Sequence, residues 1–208
     1  MKHVKQMLLS LRWPAGLFAV TLATGCALLS RGEPLKVNYF DPEPPLSGGG
    51  AADAGAEVPD CALALGRISA SEDLGQEIEF RSSTYQVGFY DARRWTETPD
   101  RYLARALQRA LFEDGALVRI TSGVAPTLDV ELVAFEEKQA PEMAHVAVRM
   151  SLHDERAVLH EETIDVTRPV GAGGGFDRFV HVMSDVLQEV VRQVAEQVHA
   201  SLPRCPRR

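Results

Sequence analysis

The run Gly171-Ala172-Gly173-Gly174-Gly175-Phe176 lies between a strand-like and a helix-like segment. A glycine-rich loop in that place can cradle a phosphate against a helix N-terminus. A dinucleotide fingerprint needs Gly or Ala at position 176, where Phe stands, and no Gly-Lys-Ser/Thr follows, so neither phosphate motif is present. The run reads as a flexible linker into the last helix. His145, His153, His160, His181 and His199 offer imidazoles for a metal, and His153 and His160 flank an expected hairpin turn that could bring them together. No HExxH occurs and no His/Cys spacing matches a metal template, so no metal is expected. Ser83 and Ser122 have no evident base partner and no G-x-S-x-G is present, which leaves a hydrolase unsupported. Arg101, Arg105 and Arg109 recur at i, i+4 and i+8, with Arg93 and Arg94 just upstream. Such a stripe is either a solvated face or a docking strip for an acidic partner or anionic headgroups.

The cysteines carry more specific chemistry. Cys26 stands behind a basic start (Lys2, His3, Lys5, Arg12), an apolar run from Trp13 to Ala23, and the small pair Thr24-Gly25. Basic, apolar, then small is the architecture of a secretory signal. The apolar run is shorter than the roughly 20 residues a spanning helix needs. Ala23-Thr24-Gly25-Cys26 resembles the lipobox that ends bacterial lipoprotein signals, with Ala where Leu is commonest. Cleavage between Gly25 and Cys26 would make Cys26 the mature N-terminus, with diacylglycerol on its thiol and an acyl chain such as palmitate on its amine. The leader carries three Lys/Arg and no acid, so its removal takes the formal charge from −7 to −10. Cys61 and Cys205 then remain as a candidate disulfide pair in an oxidising compartment, the alternative being two free thiols. A bridge would close a long loop, worth on the order of 4–5 kcal/mol in chain entropy.

These residues need a scaffold, and the pattern along the chain supplies one. Residues 27–60 contain Pro34, Pro42, Pro44, Pro45, Pro59 and the stretch LSGGGAADAGAE, and read as a tether. Within it LKVNYF, 35–40, alternates like a short edge strand. From Cys61 the chain reads as globular. CALALGRIS, EIEFRSS and TYQVGFY form three strands. Thr98-Pro99 opens a helix with Leu103, Ala106, Leu107, Ala110 and Leu111 on one face and Gly115 at its end. A short ALVRI strand and three alternating strands follow, TLDVELVAFEEK, HVAVRMSLHD and AVLHEETIDVT. The last helix carries Phe176, Phe179, Val180, Met183, Leu187, Val190, Val191, Val194 and Val198 as one stripe. The order β-β-β-α-β-β-β-β-α predicts a single α/β or α+β sandwich, a mixed, largely antiparallel sheet packed by two amphipathic helices. The expected organisation is a signal at 1–25, a lipidated N-terminus and tether at 26–60, the globular domain at 61–202 and a basic tail at 203–208.

Composition excludes one class of function: a chain of formal charge −7 lacks the basic surface that binding a phosphate backbone needs, so no nucleic acid is expected. Residues 63–111 resemble the ABC-type transport auxiliary lipoproteins, the PqiC-like group. The likeness lies in the lipobox, the tether, two strands bearing Arg and Tyr/Phe, and a Y-x-x-x-x-W-x-E-x-P segment formed by Tyr90, Trp95, Glu97 and Pro99. LDVELVAFEE and the closing Phe/Val-rich helix fit the same group. The resemblance implies a non-enzymatic envelope component without a cofactor beyond its acyl chains. It would work with an MCE-domain protein and ABC transporter subunits to move phospholipids or other apolar compounds between the two membranes. Ala27, where Asp would signal inner-membrane retention, implies the periplasmic face of the outer membrane. Trp95 is expected to pack within the fold. A homo-oligomer is left open. The alternatives are a lipoprotein that itself binds a lipid or peptidoglycan fragment, which needs a deep apolar pocket between sheet and helices, and an outer-membrane assembly factor.

Overall fold

The computed structural model describes residues 35–43, 61–114, 117–121, 124–171 and 173–202. Contacts divide the chain into Met1–Lys36 and Val37–Arg208, and the second unit holds every element below. Gly25, Cys26, Cys205, the signal segment and the basic tail lie outside the described residues.

The strands are β1 (Asn38–Phe40), β2 (Ala62–Ala70), β3 (Glu77–Ser83), β4 (Gln86–Trp95), β5 (Val118–Arg119), β6 (Thr127–Gln139), β7 (Glu142–His153) and β8 (Val158–Pro169). The helices are α1 (Pro99–Gln108) and α2 (Gly175–Ser201). β6, β7 and β8 form the expected antiparallel meander. On its other side β6 is parallel to two partners in succession, β2 through Ala64–Ala70 and β3 through Glu79–Arg81. β2 and β3 are thus two halves of one long line beside β6, broken by a turn. β6 accommodates the break with a register shift between Leu132 and Ala134. β4 pairs antiparallel with β3 and parallel with β1, and β5 lies parallel to β2. The sheet is mixed and eight-stranded.

Both helices cover one face: α1 packs on β2 and β6, α2 on β7 and β8, and each touches the other. Alternation fixes that face. Leu128, Val130 and Leu132 of β6 stand beside Leu152, Met150 and Val148 of β7, and all six are 0–1% exposed. The stripe of α2 is wider than its spacing suggests, because Val182 and Val186 are buried beside Phe179, Met183, Leu187, Val190 and Val194. Each such side chain stabilises the domain by about 1.5–3 kcal/mol.

Three local features depart from expectation. Thr98 stands at the N-cap of α1, but its side chain makes no capping bond, and Pro99 alone sets the start. The helix is not even throughout: Arg109–Glu113 form a π turn in which the Asp114 N–H donates to the Arg109 carbonyl, and the expected closing Gly115 lies outside the described residues. The extra residue of the π turn keeps Leu111 in the core at 0% exposed. The glycine run is no slack linker. Gly171, Gly173, Gly174 and Gly175 all hold positive φ, and Gly174 caps α2 at φ 91°. A Cβ on Gly174 would sit 2.9 Å from Arg178 Cβ in a backbone region L residues rarely adopt. Gly174→Ala is therefore expected to lower stability by about 1–3 kcal/mol, read as a fall in denaturant midpoint with unchanged slope.

The LKVNYF segment resolves in favour of a strand. β1 closes one edge of the sheet, so the folded domain begins before Cys61, inside the stretch expected to be tether.

Candidate functional site

The chain just after β1 is held by a clasp. The Thr96 N–H donates to the Phe40 carbonyl at 2.9 Å, and the Phe40 ring meets Phe176 of α2 edge-on at 4.8 Å. Tyr90 packs on the same Phe176 at 5.3 Å, and the Arg93 guanidinium lies 4.0 Å from its centroid. Pro42 is buried, and Glu43 follows with its side chain 15% exposed. Arg105 of α1 donates from Nε to Glu43 Oε2 at 2.8 Å and from Nη1 to Glu97 Oε2 at 2.7 Å. Those two carboxylates raise the Arg105 pKa further, so the guanidinium stays charged. The arginine thus ties the chain after β1 and the connection between β4 and α1 to α1.

This changes the reading of the basic stripe. Arg105 is occupied by Glu43 and Glu97, so Arg101, Arg105 and Arg109 do not form one free strip. Arg101 is exposed without an ion pair among the described residues. Arg109, where the π turn begins, points into a groove of about 400 Å³ between α1 and α2. Ala106, Ala110, Leu187, Val191 and Ala195 also line it, and small residues on both helices leave it open. Glu43 borders the same groove, and its second oxygen, Oε1, is buried without a hydrogen-bond partner. A buried carboxylate oxygen without a donor is costly. The groove thus has a largely apolar floor bordered by Glu43 and Arg109. It lies on the outer side of the helices: between helices and sheet the core is filled, with Trp95, Phe135, Phe179, Leu107 and Met183 at 0–1% exposed.

The histidines do not gather. Across the β7–β8 turn Leu152 pairs with His160 while His153 pairs with Val158, so the two rings face opposite sides of the sheet. His153 bonds Asp129 and His160 bonds Glu162. Among the described residues no group of His, Cys, Asp and Glu could hold a metal ion. Cys61 is buried at the start of β2, where its carbonyl accepts from the Val118 N–H at 3.0 Å.

A second constellation escaped the sequence reading. On the sheet face opposite the helices, Glu79 and Arg81 of β3 lie beside Glu136 of β6. The Arg81 Nε–H donates to both Glu136 oxygens, at 3.0 and 2.9 Å. His145 of β7 bonds Glu136 through Nδ1 at 2.9 Å and Asp165 of β8 through Nε2 at 3.0 Å. Glu136, His145 and Glu79 are 2%, 7% and 8% exposed. Burial, followed by the hydrogen bond and charge of Glu136, pushes Glu79 up to about 7. Burial also raises Glu136, but donation from His145 and Arg81 outweighs it and holds the group at about 2. Glu137, the next residue, faces the helix side and accepts from the Tyr90 hydroxyl, whose pKa burial and that bond push up to about 12. The one clue in the sequence was the adjacent pair Glu136-Glu137 within a strand otherwise apolar on its inner side.

The family model for the ABC-type transport auxiliary lipoprotein component matches residues 46–195. The chain belongs to that family. Protein XCC0632 from Xanthomonas campestris has a similar fold at 18% identity and a TM-score of 0.59, covering 76% of this chain and 92% of its own. A second solved structure, described only as an uncharacterized protein, matches at 13% identity and a TM-score of 0.58, over 78% and 99% of the two chains. Among curated proteins no relative matches. Membership makes the chain a bacterial envelope lipoprotein associated with ABC transport systems. No described helix is long and apolar enough to cross a membrane.

Proposed function

We propose that this auxiliary lipoprotein is a non-enzymatic accessory of an MCE-type ABC system that moves phospholipids or other apolar compounds. It is anchored through acylated Cys26 on the periplasmic face of the outer membrane and needs no further cofactor. The match of the transport-auxiliary family over residues 46–195 carries the reading. The lipobox-like Ala23–Cys26 and the small residue Ala27 support the anchor and its address. The α1–α2 groove serves as the seat for a partner helix, as its small, apolar walls suit a helix face. Cys61 bonds to Cys205: Cys61 and Leu202, three residues before Cys205, belong to one buried cluster. The filled core disfavours a lipid held between sheet and helices.

Native-level expression with affinity purification tests this reading. The MCE protein and transporter subunits are expected to co-purify. Ala110→Trp, which fills the groove, should reduce their recovery at least about tenfold with an unchanged melting temperature. Cys26→Ala should free the protein from membranes and abolish acyl labelling. Recovery of neither subunit class with the wild type, or full recovery with Ala110→Trp, would overturn the function or the seat respectively.

A further inference from the structure

The buried carboxylates opposite the helices do work the accessory role does not use. β3 meets β6 through three residue pairs: Glu79 with Glu136, Phe80 with Glu137, and Arg81 with Lys138. Beyond that seam the β3–β4 hairpin reaches an exposed tip, with Tyr85 96%, Val87 44% and Phe89 41% exposed. Ile78 and Trp95, each 0% exposed, fix the base of the hairpin in the core. The tip therefore hangs on a short seam, and one of its three pairs, Glu79 with Glu136, sets two acids directly opposite one another.

We propose that the β3–β6 seam is a proton-operated joint: one proton shared by Glu79 and Glu136 closes it, and loss of that proton frees the hairpin tip. With Glu79 protonated, its carboxyl donates to the Glu136 carboxylate and the pair carries one negative charge. Without it, two carboxylates stand opposite one another in a site where Glu136 is 2% exposed, and like charges so placed repel.

The surroundings set how far that repulsion is offset. Arg81, on the same strand, spends both short contacts on Glu136 and lies 3.7 Å from Glu79. His145 from β7 faces Glu136, and Asp165 from β8 faces the far side of His145. Asp73, from the β2–β3 turn, adds further negative charge toward Glu79. From β4 the residue opposite Glu79 is Phe89, which brings no charge. No cation other than Arg81 contacts Glu79 among the described residues.

The sign follows from linkage. The Glu79 carboxyl titrates at about 7 in the fold against 4.5 in a free chain, so its stabilising contribution is complete below 4.5 and fades as pH rises through 7. Glu136 acts in reverse, stabilising above 4.5 and fading toward 2. The joint is closed between these limits and loosens on the alkaline side.

Amide hydrogen exchange on the purified full chain at pH 6.0 and 8.5, corrected for intrinsic rates, reads the joint directly. Protection in residues 79–89 is expected to fall about tenfold between the two pH values. Residues 146–152 of β7 should not change. Glu79→Gln keeps a donor toward Glu136 without a charge, so its tip should hold the same protection at both pH values. If that variant does not fold, Glu79→Met, which removes the titrating group itself, must flatten the profile likewise. Equal wild-type protection at both pH values overturns the joint, as does an equal pH response in both variants or a loss shared by β7.

Discussion

Trp95→Ala is expected to cost about 3–5 kcal/mol, enough to unfold much of the population at 37 °C in a domain of ordinary stability. Trp95 is 0% exposed at the end of β4. Its ring meets Phe135 of β6 edge-on at 5.3 Å and Phe179 of α2 at 6.3 Å, so it joins the hairpin, the long strand and the last helix. Alanine leaves a cavity where all three meet, and close-packed neighbours cannot collapse into it. A gentler variant separates packing from hydrogen bonding. Trp95 Nε1 is buried without an acceptor, so Trp95→Phe discards a donor that makes no bond and should cost well under half as much. Urea melts followed by far-UV circular dichroism give both values; an alanine variant within 1 kcal/mol of wild type would contradict the arrangement.

The second large effect concerns Arg81. Arg81→Met keeps the length of the side chain but leaves Glu136, 2% exposed, with His145 as its sole strong donor. Removing one partner of a buried pair is expected to cost about 2–4 kcal/mol at pH 7. The same replacement in a Glu136→Leu background should cost far less, because the stranded charge is already gone. That double-mutant cycle isolates the pair. The single variant should also regain stability as pH falls below 4, when Glu136 can take up a proton that Arg81 otherwise keeps off it. Equal costs in both backgrounds would show that pairing with Glu136 is not what Arg81 contributes.

The legible parts of this chain were those governed by local periodicity. Alternation in β6 and β7 and the 3.6-residue stripe of α2 depend on neighbours along the chain, and both elements are where the spacing puts them. The expectation that Trp95 packs in the core came instead from the resemblance carried by the Tyr90, Trp95, Glu97 and Pro99 segment. What local pattern could not carry was the pairing of distant segments. The parallel docking of β2 and β3 in line along β6 leaves no mark on either strand. Arg105 looked like one member of an exposed stripe because its partners Glu43 and Glu97 lie 62 and 8 residues away. The charged chain from Arg81 to Asp165 crosses four strands, and each member taken alone resembles an ordinary solvent-facing residue. The π turn was equally silent, since the i, i+4, i+8 spacing of Leu103, Leu107 and Leu111 fits an unbroken helix.

The clasp at β1 shortens the leash. Had the free chain run from Cys26 to Cys61, its 34 intervening residues could stretch to about 115 Å at some 3.4 Å each. With Phe40 and Glu43 fastened to Phe176 and Arg105, the proposed acylation of Cys26 would leave only the ten residues Ala27–Lys36 between the anchor and the folded unit. Ten residues extend to about 35 Å at most, close to one bilayer thickness. A domain tied in the proposed way would stay at the membrane surface that holds its acyl chains, and whatever it serves would have to come to that surface.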